Sequence, residues 1–351
     1  MLSTAPEILQ LVEALRRSPF LCLDTEADSL HCYPEKLCLV QLSHAGGDEL
    51  VDPLGPAEPL APLFEHLASR ELTLHGASFD LRLLRRARGM VAREVFDTEL
   101  AARLVGRPKV GLRDLVQELL GVTLDKGAQK ANWSQRPLTP KMEEYARGDT
   151  HHLKALREAL EAELSRLGRT EWHRETCARL IVDSVPAAPD PEAAWRVKGS
   201  SLLRPRALAI VRELYLWREE QAVALNRPPY FVLSHELLVA AAEKSAKSGA
   251  PELSAQLRPH QHKAVEDAIR RALALPDSAL PRQELHSRPA RPSDEVQRRF
   301  EAIRRRRDER ALALNLDPTL IANKADLLAL AEDFDKAAAS LMKWQVQLLS
   351  A

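Results

Sequence analysis

Phe20-Leu21-Cys22-Leu23-Asp24-Thr25-Glu26 is an apolar run that ends in two acids on alternate positions. Successive side chains of a strand point to opposite faces, so Asp24 and Glu26 share one face, about two strand residues apart. Two carboxylates held that closely repel each other unless a cation sits between them. Read alone, the Asp-x-Glu tripeptide is a common one and describes a solvated strand end opening into a loop. Its neighbours decide the matter.

Around it, short apolar runs rich in branched residues alternate with amphipathic stretches up to about residue 165, the pattern of an α/β domain. The strands expected are Phe20–Asp24, Leu37–Ser43, Glu49–Asp52 and Leu72–Gly76, and the helices are Pro6–Arg17, Ala57–Ser69, Ser78–Arg88, Thr98–Val105, Leu112–Leu120 and a long run over Thr139–Leu167. The segment between the first two strands carries Tyr33-Pro34 and is too short for a crossover helix. Those strands are therefore antiparallel neighbours in a mixed sheet.

Two further elements bring acids to the same domain. In His75-Gly76-Ala77-Ser78-Phe79-Asp80 a strand leads through Gly76 into a helix beginning near Ser78, which puts Asp80 in the first helical turn. Alone, it would serve the helix macrodipole. Tyr145-Ala146-Arg147-Gly148-Asp149 lies on the long helical run, whose start is marked by the capping pair Thr139-Pro140. A spacing of four sets Tyr145 and Asp149 on one face. Gly148 weakens a helix interior by about 1 kcal/mol relative to alanine, which suggests a close approach to the backbone there. Together these elements supply four acids and a phenol, the donor set of a two-metal phosphodiesterase site: hard oxygen ligands, negative charge for two Mg²⁺ or Mn²⁺ ions, and room for phosphate and water.

Beyond about residue 170 strand signals fade and helical spacing of leucine and alanine continues, so the second half is expected to be all α. Proline clusters at Val185–Pro191 and Leu280–Pro292 read as linkers. Arg218–Asn226 and Arg307–Asn315 repeat at an offset of 89 residues, with Pro229 matching Pro318 and Leu238 matching Leu327. Each copy reads as a helix, a proline turn and another helix. The chain of 351 residues has 50 basic and 50 acidic side chains, which excludes a polybasic binder. No run is apolar enough to span a membrane, and the N-terminus lacks a signal-peptide layout, so a cytoplasmic protein without membrane partners is expected. Cys22, Cys32, Cys38 and Cys177 form no metal pair or disulfide framework and read as reduced structural thiols.

Asp24-x-Glu26, Asp80 and Tyr145-x-x-x-Asp149 resemble the three exonuclease motifs of the DEDD superfamily in its tyrosine-bearing branch. Phe96–Ala102, Gly121–Lys126 and Trp133–Thr139 resemble the intervening segments of the ribonuclease D family, with Asn132 standing where relatives often carry aspartate. Trp217-Arg218-Glu219 and Arg227-Pro228-Pro229 resemble the HRDC domain, which ribonuclease D carries in tandem. The resemblance implies an RNase H-like exonuclease domain over 1–168, a helical connector over 169–200, HRDC domains over 201–280 and 293–351, and a linker over 281–292.

It also implies a 3′-5′ exoribonuclease that trims tRNA precursors and other structured RNAs as a monomer and releases nucleoside 5′-monophosphates. Asp24 would bridge two divalent ions, Glu26 and Asp149 would complete the site of the ion that activates water, Asp80 would help hold the second, and Tyr145 would orient the water. Arg206, Trp217, Tyr230 and Arg304 are candidate RNA contacts in the helical half. His75 reads as structural, and His151-His152, about 100° apart on a helix, are not expected to ligate one ion. Two alternatives stay open: a DNA exonuclease of the same superfamily and a non-catalytic nucleic-acid scaffold.

Overall fold

The computed structural model describes the chain apart from Lys126, residues 186–189, 254–256, Arg258, residues 283–291 and Ala351. The linker expected over 281–292 lies almost wholly outside the described residues, as does the middle of Val185–Pro191. The chain divides into two compact units. The first takes in the residues up to Ala27, Leu37–Val185 and the C-terminal segment, and the second joins Asp28–Lys36 to the chain that follows Val185.

The first unit is built on a five-stranded sheet, β1 (Cys22–Ala27), β2 (Leu37–His44), β3 (Gly47–Val51), β4 (Glu71–Leu74) and β5 (Glu94–Asp97), in the order β3-β2-β1-β4-β5. β2 runs antiparallel to β1 and β3, while β4 is parallel to β1 and β5 parallel to β4. The sheet is mixed, as the short β1–β2 connection demands. β5 is absent from the sequence reading: its four residues run straight into α4 at Thr98, with no turn residue to mark the strand off.

Helices pack on both faces: α1 (Ala5–Arg17), α2 (Ala61–Ser69), α3 (Ser78–Arg88), α4 (Thr98–Leu104), α5 (Leu112–Leu120), α6 (Pro140–His151), α7 (Leu153–Arg166) and α8 (Thr170–Asp183). Leu21 and Leu23 enter a core with Ile8, Leu11 and Leu15 of α1 and Leu63 of α2. Cys22 enters another, with Ala101 of α4, Leu115 of α5 and Leu156 of α7. Strand alternation therefore sends Asp24 and Glu26 to the Cys22 face. The single helix expected over Thr139–Leu167 is interrupted at His152. There the chain changes the core it faces: α6 buries Met142 and Ala146 beside Trp133 and Leu39, and α7 buries Leu153, Leu156 and Leu160 elsewhere. Leucine and alanine spacing runs on across the break and hides it.

The C-terminal segment does not stand apart as a compact unit over 293–351. Its helices Asp294–Leu314, Lys324–Glu332 and Lys343–Leu349 share the core of α4, α5 and α7 through Ile303, Ile321, Leu327 and Trp344. Arg169 donates to the carbonyls of Leu104 (2.6 Å) and Leu314 (2.7 Å), and Trp172 stacks on Trp344 with ring centroids 5.1 Å apart. Gly106, at φ +85°, lies where an added Cβ would meet the Asn315 carbonyl oxygen at 2.2 Å. These contacts also bring α8 out of the expected connector and into this unit.

In the second unit Pro205–Ala224, His235–Ser248 and Pro259–Leu273 surround Leu208, Ile210, Leu214, Leu238, Val265 and Ile269. Tyr33 packs against this core, donating its hydroxyl to Glu219 and its backbone N–H to Asn226 Oδ1 (3.2 Å). The internal repeat is visible in the elements: Pro205 and Asp294, Pro229 and Pro318, and His235 and Lys324 begin matching helices. Asn226 and Asn315 both adopt the left-handed conformation, at φ 46° and 53°. Among the described residues no helix is long and apolar enough to cross a membrane. The four cysteines are free thiols, three of them buried.

Candidate active site

β1 presents Asp24 and Glu26 toward α6, whose register turns Tyr145 and Asp149 to the same place. One oxygen from each of Asp24, Glu26 and Asp149 lies within 4.8 Å of the others. Asp80 comes from the first turn of α3, buried, with Oδ1 accepting the Thr25 hydroxyl at 2.5 Å. It lies outside the triplet. Gln41, opposite Asp24 in the β1–β2 register, donates Nε2 to Asp24 Oδ2 at 3.3 Å. The start of α6 is set by Thr139, whose side chain accepts from Met142 N at 3.3 Å, with proline following.

Among the described residues no Lys or Arg forms an ion pair with these acids. Burial, then the charge of Asp149, pushes the Asp24 carboxyl up to about 7. Burial pushes Asp149 up to about 7 against the opposing hydrogen bond from Tyr145. Burial, followed by Asp24, Asp149 and Asp80, pushes Glu26 up to about 10, and burial with Asp24 raises Asp80 well above the carboxylate range. The same burial and the charges of Asp149, Glu26 and Asp24 raise Tyr145, so its phenol stays protonated at neutral pH beside Asp149. A set of hard oxygen donors in mutual repulsion fits divalent cations.

A cleft of about 890 Å³ opens over the acids, with Phe79, Leu112, Arg113, Gln129 and Lys130 among its walls. A smaller cavity of about 250 Å³ reaches Tyr145 and Asp149 past Gly148. Among the described residues nothing outside its own helix and chain neighbours comes within 4 Å of where a Cβ on Gly148 would stand, so none of them makes the close approach inferred from that glycine.

Several residues that shape the site escaped the sequence reading. Asp97, nearly fully buried, caps α4 through Glu99 N (2.8 Å) and Leu100 N (3.2 Å) and also accepts from Gly76 N (3.1 Å) and Ala77 N (2.8 Å). One carboxylate therefore fixes the turn that launches α3 and Asp80. Gln41 left a signal: it is the one amide side chain in the wholly buried strand β2. His75 faces the cleft while its Nδ1 meets Thr98 Oγ1 at 2.9 Å. Thr98 donates to the Leu74 carbonyl, so His75 Nδ1 carries the proton, a structural bond as expected. His151 pairs with Asp48 (2.6 Å), and Asn132 accepts from Ser134 Oγ (2.6 Å), a local role away from the acids.

Of the four candidate RNA contacts, two are corrected. Arg206 donates to the carbonyls of Ala272, Leu273 and Leu275 and to Asp277, closing the end of the helix Pro259–Leu273. Trp217 is buried in the core of the second unit, because its helical spacing with Ile210 and Leu214 points it inward. Tyr230 is 67% exposed, and Arg304 is exposed beside Glu301 (2.8 Å).

Comparison with known proteins bears on the same regions. A family model described as 3′-5′ exonuclease matches residues 1–165, and the HRDC domain model matches residues 207–253. The chain is 35% identical over 307 residues to ribonuclease D of Gluconacetobacter diazotrophicus, spanning 84% of this chain and 77% of that one. It is 29% identical to ribonuclease D of Granulibacter bethesdensis over 98% of this chain and 89% of that one. The crystal structure of Escherichia coli RNase D, an exoribonuclease involved in structured RNA processing, superposes with a TM-score of 0.75 at 27% identity, covering 96% of this chain and 91% of that one. A protein from Bifidobacterium adolescentis superposes with a TM-score of 0.82 at 25% identity, over 100% and 94% of the two chains.

Proposed function

The chain belongs to the ribonuclease D family and is a 3′-5′ exoribonuclease, and from that premise we propose that Asp24, Glu26, Asp80 and Asp149 hold two divalent ions, Mg²⁺ or Mn²⁺, with which it trims the 3′ ends of tRNA precursors and other structured RNAs. The observation that carries this reading is the convergence of Asp24, Glu26 and Asp149 within 4.8 Å, half-buried, each carboxyl held above its ordinary range by burial, with the neighbouring acids adding to it at Asp24 and Glu26. Bound there, the ions would supply a water of lowered pKa and neutralise charge on the leaving 3′ oxygen.

The chain's own residues do the rest. Asp24 would help hold both ions, since one of its oxygens lies within 4.8 Å of Glu26 and Asp149 and its charge also raises Asp80. Tyr145, a protonated donor, orients the attacking water and does not abstract its proton, because its pKa is raised further from neutrality. Thr25 steadies Asp80, and Gln41 steadies Asp24. Glu26 reads the terminal 3′ hydroxyl, which directs attack to an end and releases nucleoside 5′-monophosphates. The matched helix starts 89 residues apart support reading the C-terminal segment as a second HRDC-like unit in addition to the HRDC domain matched at 207–253. Tyr230 and Arg304 are the exposed candidates for RNA contact, in a protein acting as a cytoplasmic monomer.

The test is digestion of a 3′-extended tRNA and an equal-length single-stranded DNA with Mg²⁺, Mn²⁺ or EDTA, comparing wild type with Asp24→Ala and Asp149→Ala. Metal-dependent trimming of the RNA end, lost in both folded variants, is expected. Faster digestion of DNA would overturn the RNA assignment, and full activity in either variant would overturn the metal assignment.

A further inference from the structure

The segment between α5 and α6 carries an anchor that the mechanism above does not use. Trp133 is 1% exposed and packs among Cys38 and Leu39 of β2, Leu50 of β3 and Met142 and Ala146 of α6. Its ring centroid lies 6.1 Å from that of Tyr145, at an interplanar angle of 39°. Among the described residues the indole N–H finds no hydrogen-bond partner, so packing and the backbone that carries it decide its place.

That backbone is clamped by Arg136. Its guanidinium donates through Nε and one terminal nitrogen to both oxygens of Asp52 (2.6 and 2.7 Å), and through the terminal nitrogens to the carbonyls of Cys38 (2.7 Å), Trp133 (2.8 Å) and Gln135 (2.9 Å). A bidentate ion pair combined with carbonyl contacts uses the planar fork in a way that lysine cannot copy. The clamp ties the tryptophan to the end of β3 and the start of β2, the strands that carry α6. Since α6 itself fixes only the Tyr145 backbone, the direction of the phenol depends on what lies against its ring.

We propose that Trp133, locked by Arg136, is a positioning residue for Tyr145: it holds the phenol ring so that the hydroxyl meets Asp149 and the attacking water. This rests on the water-orienting role of Tyr145 given under Proposed function. It predicts that loss of the anchor acts on turnover through the Tyr145 hydroxyl, not through general loosening of the fold.

A double-mutant cycle on the full-length protein separates the two. kcat on saturating 3′-extended RNA with Mn²⁺ is measured for wild type, Trp133→Phe, Tyr145→Phe and the double variant, with Tm recorded for each. The expected result is a fall in kcat of roughly 10- to 100-fold for Trp133→Phe, the scale of a small misplacement of a reacting group, and no further fall when it is added to Tyr145→Phe. Equal fold-losses from Trp133→Phe in both backgrounds would overturn the proposal, as would unchanged kcat with lowered Tm. If Trp133→Phe does not fold, Arg136→Lys replaces it in the same cycle with the same expectation. Wild-type kcat in Tyr145→Phe alone would withdraw the water-orienting role itself and this proposal with it, an outcome visible before the cycle is closed.

Discussion

Replacing Asp97 tests whether one carboxylate outside the acidic cluster builds the site. Its oxygens accept from Gly76 N, Ala77 N, Glu99 N and Leu100 N, at 3.1, 2.8, 2.8 and 3.2 Å. Asp97→Ala removes a helix cap and leaves buried N–H groups at Gly76 and Ala77 unpaired, a loss of about 3–6 kcal/mol. That is a large share of the roughly 5–15 kcal/mol that holds a typical domain together. Asp97→Asn is the more informative variant. Its amide oxygen can occupy the Oδ1 position, which serves Gly76, Glu99 and Leu100, but its NH₂ then faces the Ala77 N–H that Oδ2 had accepted. One donor lost against another costs about 1–3 kcal/mol. The strained turn lies three residues before Asp80, so kcat is expected to fall by up to roughly 100-fold as that carboxyl shifts. Urea unfolding followed by circular dichroism gives the first quantity, and turnover at saturating RNA gives the second. An Asp97→Asn protein with the wild-type urea midpoint and wild-type kcat would refute the reasoning.

Metal and pH should act together on stability. Asp24 and Asp149 rise from 3.8 in ordinary solution to about 7 in the folded chain, so the metal-free folded state binds more protons than the unfolded one between those values. Stability in EDTA is therefore expected to fall as pH rises from about 4 through 7, with Glu26 extending the decline toward 10. Divalent ions compete with those protons, so the rise in Tm on adding Mn²⁺ should be larger at pH 8 than at pH 6 in calorimetric scans; equal shifts would count against the site. Two glycine substitutions should have opposite signs in urea unfolding. Gly106→Ala, at φ +85° with a 2.2 Å clash on the Asn315 carbonyl, is expected to destabilise by at least about 2 kcal/mol. Gly148→Ala, in a helix interior facing open space, is expected to stabilise by about 0.5–1 kcal/mol.

The residues of the candidate site were legible because each sits where a local rule places it: alternation for Asp24 and Glu26, the first helical turn for Asp80, a four-residue spacing for Tyr145 and Asp149. The mixed sheet followed from a connection too short to cross over. Residues that hold the acids in place were less legible. Asp97 reads locally as an ordinary N-cap, and nothing nearby in sequence says that its other oxygen closes a turn twenty residues upstream. Arg206 and Trp217 have the chemistry of RNA contacts, but Arg206 is taken up by the end of a neighbouring helix and Trp217 by the core.

Local propensity and periodicity act over a few residues, and they alone carried the alternation of strands and helices apart from β5 and the break at His152, the three acidic elements and the 89-residue offset between similar helices. Which repeat copy joins which core was decided only in three dimensions. The two copies present similar helices, yet Ile303, Leu327 and Trp344 of the later one complete the core of α4, α5 and α7, while Gly106 clears the way for Asn315 and Arg169 ties Leu104 to Leu314. The free energy of such burial depends on which surfaces meet across more than a hundred residues of chain, a pairing that amphipathic spacing does not encode.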